Sequence, residues 1–276
     1  MVQASRIFIA LISLLIPIAP AVAETVEFGD GEYRLHAELY RPSGAGPFPT
    51  VVAMHGCNGL MDPSGKIRAQ YADWSEKLTA QGMAVMFPDS YGSRGLGSSQ
   101  CRVRNRTVRP FRERVADAQA ARSWLLAQDW VQKDRISLLG WSNGAIAALW
   151  TVRPRVAPTD GHPDFRSAVV LYPGCRRLGD SAWSARIPTL ILIGASDNWT
   201  LARDCEQMVA GASGRSARAT IIKYRGAYHY FDRENLPVTE LSGMPFTPDG
   251  SGRAFIGGNA EARADALQRV PQWLAR

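Results

Sequence analysis

Ser142 stands in Gly140-Trp141-Ser142-Asn143-Gly144, a G-x-S-x-G run. A serine hydroxyl is a weak nucleophile and needs a neighbouring base. The chain offers four histidines. His36 falls in an early hairpin and reads as an exposed strand residue. His162 lies in the polar loop Asp160-Gly161-His162-Pro163 and reads as solvent-facing. His55 precedes a glycine at a strand end, which suits a different role. His229, in Gly226-Ala227-Tyr228-His229-Tyr230, follows the last strand and lies downstream of both Ser142 and a suitable acid. That acid is Asp197, just past the apolar run Ile191-Leu192-Ile193. Its task would be to orient the imidazole and stabilise the imidazolium. Asp89 precedes the serine and Asp180 sits in a polar loop, so both are weaker candidates. Attack on a carbonyl also needs two donors for the oxyanion. Asn143, directly after the serine, offers one backbone N–H, and Cys57, in His55-Gly56-Cys57-Asn58-Gly59, offers the other.

These residues must be held by an alternation of strands and helices. Thr25 to Tyr40 reads as a hairpin around Gly29-Asp30-Gly31. Thr50–Met54, Met83–Phe87, Ile136–Leu139, Ala168–Tyr172, Thr189–Ile193 and Thr220–Tyr224 read as strands, Thr50–Met54 and Met83–Phe87 among them as continuously apolar, buried ones. Helices are expected over Lys66–Gln81, where Tyr71, Trp74 and Leu78 share a face, and over Val115–Leu126, Asn143–Val152 and Asn259–Leu274. Continuous apolar strands alternating with helices mean an α/β fold with a mainly parallel sheet covered on both faces. Function gathers at the carboxyl ends of such strands. There a G-x-S-x-G between strand and helix forms a sharp turn that projects the serine. The stretch from Arg233 to Gly258 holds Pro237, Pro245, Pro248 and five glycines. It reads as a long excursion of the kind that borders binding sites.

The order Ser142, Asp197, His229 is that of the α/β-hydrolases. The chain further resembles the dienelactone hydrolase family, over nearly all of its length after residue 23. The resemblance rests on His55-Gly56-Cys57, Pro88-Asp89-Ser90-Tyr91-Gly92-Ser93-Arg94-Gly95, Gly140-Trp141-Ser142-Asn143-Gly144, Tyr172-Pro173-Gly174, Asp197 and His229-Tyr230-Phe231-Asp232. Better-known cytosolic members carry a cysteine nucleophile where this chain has Ser142, so it is similar to an exported, serine-bearing branch. The resemblance implies the α/β-hydrolase fold, with about eight strands and helices on both faces. It also implies cleavage of small carboxylic esters or lactones. The fold it implies places the loops after the Thr50 and Met83 strands side by side, and likewise those after the Ala168 and Thr189 strands. Disulfides Cys57–Cys101 and Cys175–Cys205 are therefore expected. Tyr91, Trp199 and Tyr230 flank motif residues and are candidates for the substrate pocket.

Residues 1–23 read as a secretory signal peptide. Arg6 is followed by an apolar run from Ile7 to Ile16, then Pro17, Pro20 and Ala21-Val22-Ala23. Such a run is too short to span a bilayer. Residues 24–276 are then one exported domain, periplasmic or secreted, where cysteines oxidise. The 276 residues are 46% hydrophobic and 21% charged, which excludes disordered, collagen-like and polytopic membrane chains. The net charge is +7. Arg102, Arg104, Arg106, Arg109, Arg112 and Arg114 concentrate it. They read as a solvated loop with a helix pair between Arg114 and Asp117; the alternative is capture of an anionic substrate. No Walker-type loop, metal-ligand spacing or dinucleotide fingerprint occurs. No cofactor, metal, nucleic-acid partner or stable membrane anchor is therefore expected. The expected partner is a small-molecule ester or lactone. A peptidase of the same fold and a binding protein on a hydrolase scaffold are the alternatives. The sequence specifies no oligomeric state.

Overall fold

A computed structural model describes residues 22–29, 34–97 and 99–276. The described chain opens with the antiparallel pair β1 (Val22–Phe28) and β2 (Leu35–Arg41), then β3 (Phe48–Met54), α1 (Ala69–Thr79), β4 (Ala84–Pro88) and α2 (Glu113–Leu126). It continues through β5 (Val131–Trp141), α3 (Asn143–Thr151), β6 (Ala168–Leu171), the short α4 (Arg176–Asp180), β7 (Thr189–Gly194), α5 (Ala202–Gly211) and β8 (Ala219–Tyr224). The final elements are β9 (Thr239–Leu241), β10 (Ala254–Ile256) and α6 (Ala260–Leu274).

Eight strands form one sheet in the order β1-β2-β4-β3-β5-β6-β7-β8. β1 and β2 are antiparallel, β2 meets β4 antiparallel, and β3 through β8 pair in parallel. The strand composition explains this arrangement. β4, β6 and β7 are buried along their whole length, as strands covered on both faces must be. At the edge, β1 alternates exposed Ala23, Thr25 and Glu27 with the more buried Glu24, Val26 and Phe28, and of these six Phe28 alone is fully buried. Tyr71, Trp74 and Leu78 of α1 are all buried, the face expected from their spacing. Arg263 on α6 reaches Asp73 on α1 at 2.7 Å, joining two helices on one face of the sheet, while α2 and α3 pack together on the other.

β5 starts at Val131, five residues before the apolar run that announced it, because Lys133 and Asp134 are exposed and interrupt the pattern. α1 starts at Ala69 rather than Lys66: Met61 and Ile67 form an antiparallel bridge and Arg68 is extended. The Arg233–Gly258 excursion folds back as a two-stranded ribbon of β9 and β10. β10 lies against the segment after β8, with Ile256 bridged in parallel to His229. The expected signal peptide lies outside the described residues except for Val22 and Ala23, the first positions of β1.

Candidate active site

Ser142 sits in the turn between β5 and α3 with φ 50° and ψ −113°. A non-glycine residue rarely takes a positive φ, and strain of this kind collects at functional sites. The flanking glycines are sterically required. A Cβ on Gly140 would meet the Gly144 carbonyl oxygen at 2.7 Å, and one on Gly144 would meet that of Met54 at 1.9 Å. The turn is held by the Ser142 N–H donating to Leu171 O and by Ile146 N–H donating to Ser142 O.

His229 Nε2 lies 3.0 Å from Ser142 Oγ. Its Nδ1 lies 2.7 Å from Asp197 Oδ2. All three residues are buried, so their interactions are little screened. The other Asp197 oxygen accepts from the backbone N–H groups of Trp199 and Thr200 at 2.9 and 2.8 Å. Thr200 Oγ1 donates to Asp197 Oδ2 at 2.8 Å and lies 3.1 Å from His229 Nδ1. The imidazole is walled by the rings of Tyr172, Trp199 and Tyr230, with centroids 4.5, 4.8 and 4.9 Å away. Two loops must meet to form this row. Gly194 lets them, because a Cβ there would stand 2.2 Å from Ala227 O. Ser196 N–H then donates to Ala227 O at 3.0 Å.

Of the weaker acids, Asp89 binds the N–H groups of Tyr91 and Gly92, and Asp180 ends α4 in an exposed position. Neither reaches the imidazole. His36 and His162 are exposed. His55 is fully buried, its Nδ1 2.8 Å from Gly56 O. Burial, followed by the nearby Arg114 guanidinium, holds His55 well below the usual imidazole range, so it is neutral.

Cys57 and Asn143 both border the cavity beside Ser142. Asn143 begins α3, where first-turn N–H groups have no intrahelical acceptor. The loop carrying Cys57 is fixed by Tyr71, whose hydroxyl accepts from Gly56 N–H at 2.8 Å. It is also tied by a disulfide from Cys57 to Cys101. A second disulfide joins Cys175 to Cys205. The cavity above Ser142 holds about 570 Å³. Phe111, Trp150, Trp199 and Phe246 give it aromatic walls, and Arg104, Arg106, Arg109, Arg176 and Arg177 line it with Asp204.

Three expectations need correction. Tyr91 and Tyr230 do not line the cavity; only Trp199 does. Tyr91 is buried behind the site, donating to Asn143 Oδ1 at 3.1 Å, and Tyr230 backs the imidazole. The Arg114–Asp117 pair does not form: Asp117 takes Arg94 at 2.6 Å, and Arg114 is completely buried. The remaining arginines are not a merely solvated loop, since Arg104, Arg106 and Arg109 line the cavity.

Sequence reasoning missed Thr200 and Asp232. Asp232 is buried and receives Trp74 Nε1, Trp141 Nε1, Tyr172 OH and Gln70 Nε2 at 2.8, 2.9, 2.7 and 2.9 Å. It pins Tyr172, and so the ring against His229, from behind. Its position three residues after His229 in the motif was the available signal.

The chain matches the sequence profile of the dienelactone hydrolase family over residues 35–276. Its fold is shared by solved structures of low identity. The dienelactone hydrolase-like promiscuous phosphotriesterase P91 from metagenomic libraries has 18% identity and TM-score 0.68, with 93% of this chain and 98% of that one covered. The dienelactone hydrolase of Anabaena variabilis has 15% identity and TM-score 0.61, with 93% and 98% covered. Thermogutta terrifontis esterase 2, seen phosphoramylated by tabun, has 19% identity and TM-score 0.61, with 96% and 97% covered. The eight-stranded, mostly parallel sheet with its profile match across nearly the whole described chain makes this protein a member of the dienelactone hydrolase family, an α/β-hydrolase.

Proposed function

We propose that the protein is a serine hydrolase of small carboxylic esters or lactones. The observation that carries this reading is the hydrogen-bonded row Ser142, His229 and Asp197 opening onto the cavity. Ser142 Oγ attacks the carbonyl carbon while His229 Nε2 takes its proton. The carbonyl π pair moves onto oxygen, and the N–H groups of Cys57 and Asn143 receive that oxyanion. Collapse breaks the bond to the leaving alkoxide, which takes the proton from His229. Water then attacks the acyl-enzyme by the same steps and frees the carboxylic acid. Asp197 holds the Nδ1–H tautomer throughout.

The cavity wall supports a finer reading. Among the described residues Arg104, Arg106, Arg176 and Arg177 form no ion pair with a carboxylate, so acyl groups bearing a negative charge fit best. Two disulfides support export. The test is a panel of p-nitrophenyl esters of graded chain length, simple lactones and a peptide anilide. Turnover of esters or lactones is expected, and turnover of the anilide alone would favour a peptidase.

A further inference from the structure

Arg114, the second residue of α2, is completely buried. Its Nη2 donates to His55 O at 2.7 Å and its Nη1 to Asn143 Oδ1 at 2.8 Å. Nε reaches Ser90 Oγ at 3.3 Å, and the guanidinium lies over the Tyr91 ring at 5.2 Å. Tyr91 OH donates to the same Asn143 oxygen at 3.1 Å. Among the described residues no carboxylate pairs with Arg114, because its neighbour Asp117 is held by both Nη atoms of Arg94 at 3.0 and 2.6 Å. A buried charge answered only by neutral groups costs several kcal/mol, roughly, when first desolvated. Packing does not require one here.

The partners of Arg114 show what the charge does. One is the side chain of Asn143, whose N–H is one arm of the oxyanion hole in the reading above. The other is the carbonyl of His55, two residues before Cys57, which supplies the second arm. These arms come from loops after different strands, β5 and β3. We propose that Arg114 is a positioning residue for acyl transfer. It clamps the two arms of the oxyanion hole to each other and supplies a buried positive charge that is balanced only when the tetrahedral oxyanion forms. Such a group acts on the transition state more than on bound substrate. The rigid guanidinium fork meets the two acceptors with two separate nitrogens, which the single nitrogen of a lysine does not reproduce.

The inference rests on the serine-hydrolase reading, and the experiment separates the two. Wild-type protein is first treated with a fluorophosphonate probe; absence of label on Ser142 would sink the hydrolase reading itself. With Ser142 labelled, Arg114→Met, Arg114→Lys and Asn143→Ala are compared by steady-state hydrolysis of p-nitrophenyl acetate. Affinity for a boronic acid that mimics the tetrahedral state is measured alongside. Arg114→Met should lower kcat about 100-fold with KM within about threefold. Boronate affinity should fall in parallel. Arg114→Lys should fall between Arg114→Met and wild type. Unchanged kcat and boronate affinity in a folded Arg114→Met would overturn the proposal. Should Arg114→Met fail to fold, Asn143→Ala decides. It removes the oxygen that Arg114 grips but keeps the N–H. A tenfold or greater loss in kcat with KM little changed supports the clamp, and full activity contradicts it.

Discussion

Asp197 divides its two oxygens, one toward the backbone of Trp199 and Thr200 and one toward His229. Asp197→Asn would leave those turns in place but present an amide N–H to Nδ1 and invert the tautomer. A loss near 10⁴-fold in kcat is expected at neutral pH. Thr200→Val removes one charge-assisted hydrogen bond to the same carboxylate oxygen. It should cost about ten- to thirtyfold, about 1.5–2 kcal/mol, well short of the Asp197→Asn loss. The two kcat values measured side by side check this ranking, and equal losses would contradict it. Ser142, Asp197 and His229 were legible because residue type and chain order are printed in the sequence. Thr200 and Asp232 were not: a threonine or a second aspartate gains meaning only from which loop faces it. Arg114 misled for a physical reason. Helical spacing offered Asp117, but the burial of α2 against β3 and α3 turned the guanidinium toward the carbonyl and amide oxygens there.

At the scale of elements, the strands were readable from their apolar runs, even in half-buried β8, and obscure where exposed charges interrupt the run, as at the start of β5. The ribbon of β9 and β10 escaped notice because three-residue strands among prolines and glycines carry no period. Gly194 is the element-level hinge of the site. Gly194→Ala would push a Cβ to 2.2 Å from Ala227 O, forcing apart the loops that carry Asp197 and His229. A drop in Tm of several degrees and a larger loss in kcat than in KM are expected. An intact kcat would show that the loops meet without this approach. The start of α2 makes an acid-stability prediction. A hydrogen bond from Arg109 holds Glu113 down to about 2. A carboxyl with a lowered pKa in the folded state contributes stability above its unfolded value, about 4.3, and loses it as pH falls toward 2. Thermal melts of Glu113→Gln should therefore lie below wild type at pH 6 and converge with it near pH 2. A constant gap would show that the ion pair is not the source.

For the whole molecule, part of the basic excess behind the net charge of +7 gathers around the cavity. Arg104, Arg106, Arg109, Arg176 and Arg177 line the cavity against one carboxylate, Asp204. The sequence showed the first three as a run, but Arg176 and Arg177 come from α4, far along the chain. Only the fold brings them together. The expected outcome is a higher kcat/KM for p-nitrophenyl hemisuccinate than for p-nitrophenyl butyrate, which differ in charge at similar length. That ratio should shrink with added salt, as exposed charges are screened, and shrink again in Arg177→Gln. Equal rates for the two esters at low salt would remove charge from the account of specificity.

The proposed hydrolysis depends most on Ser142 as the nucleophile. The direct measurement is mass spectrometry of the protein after inactivation by a fluorophosphonate, with peptide mapping of the adduct. One equivalent on Ser142, formed in step with loss of esterase activity and absent from Ser142→Ala, is the predicted result. Complete inactivation with the adduct on another residue, or ordinary turnover by Ser142→Ala, would contradict it.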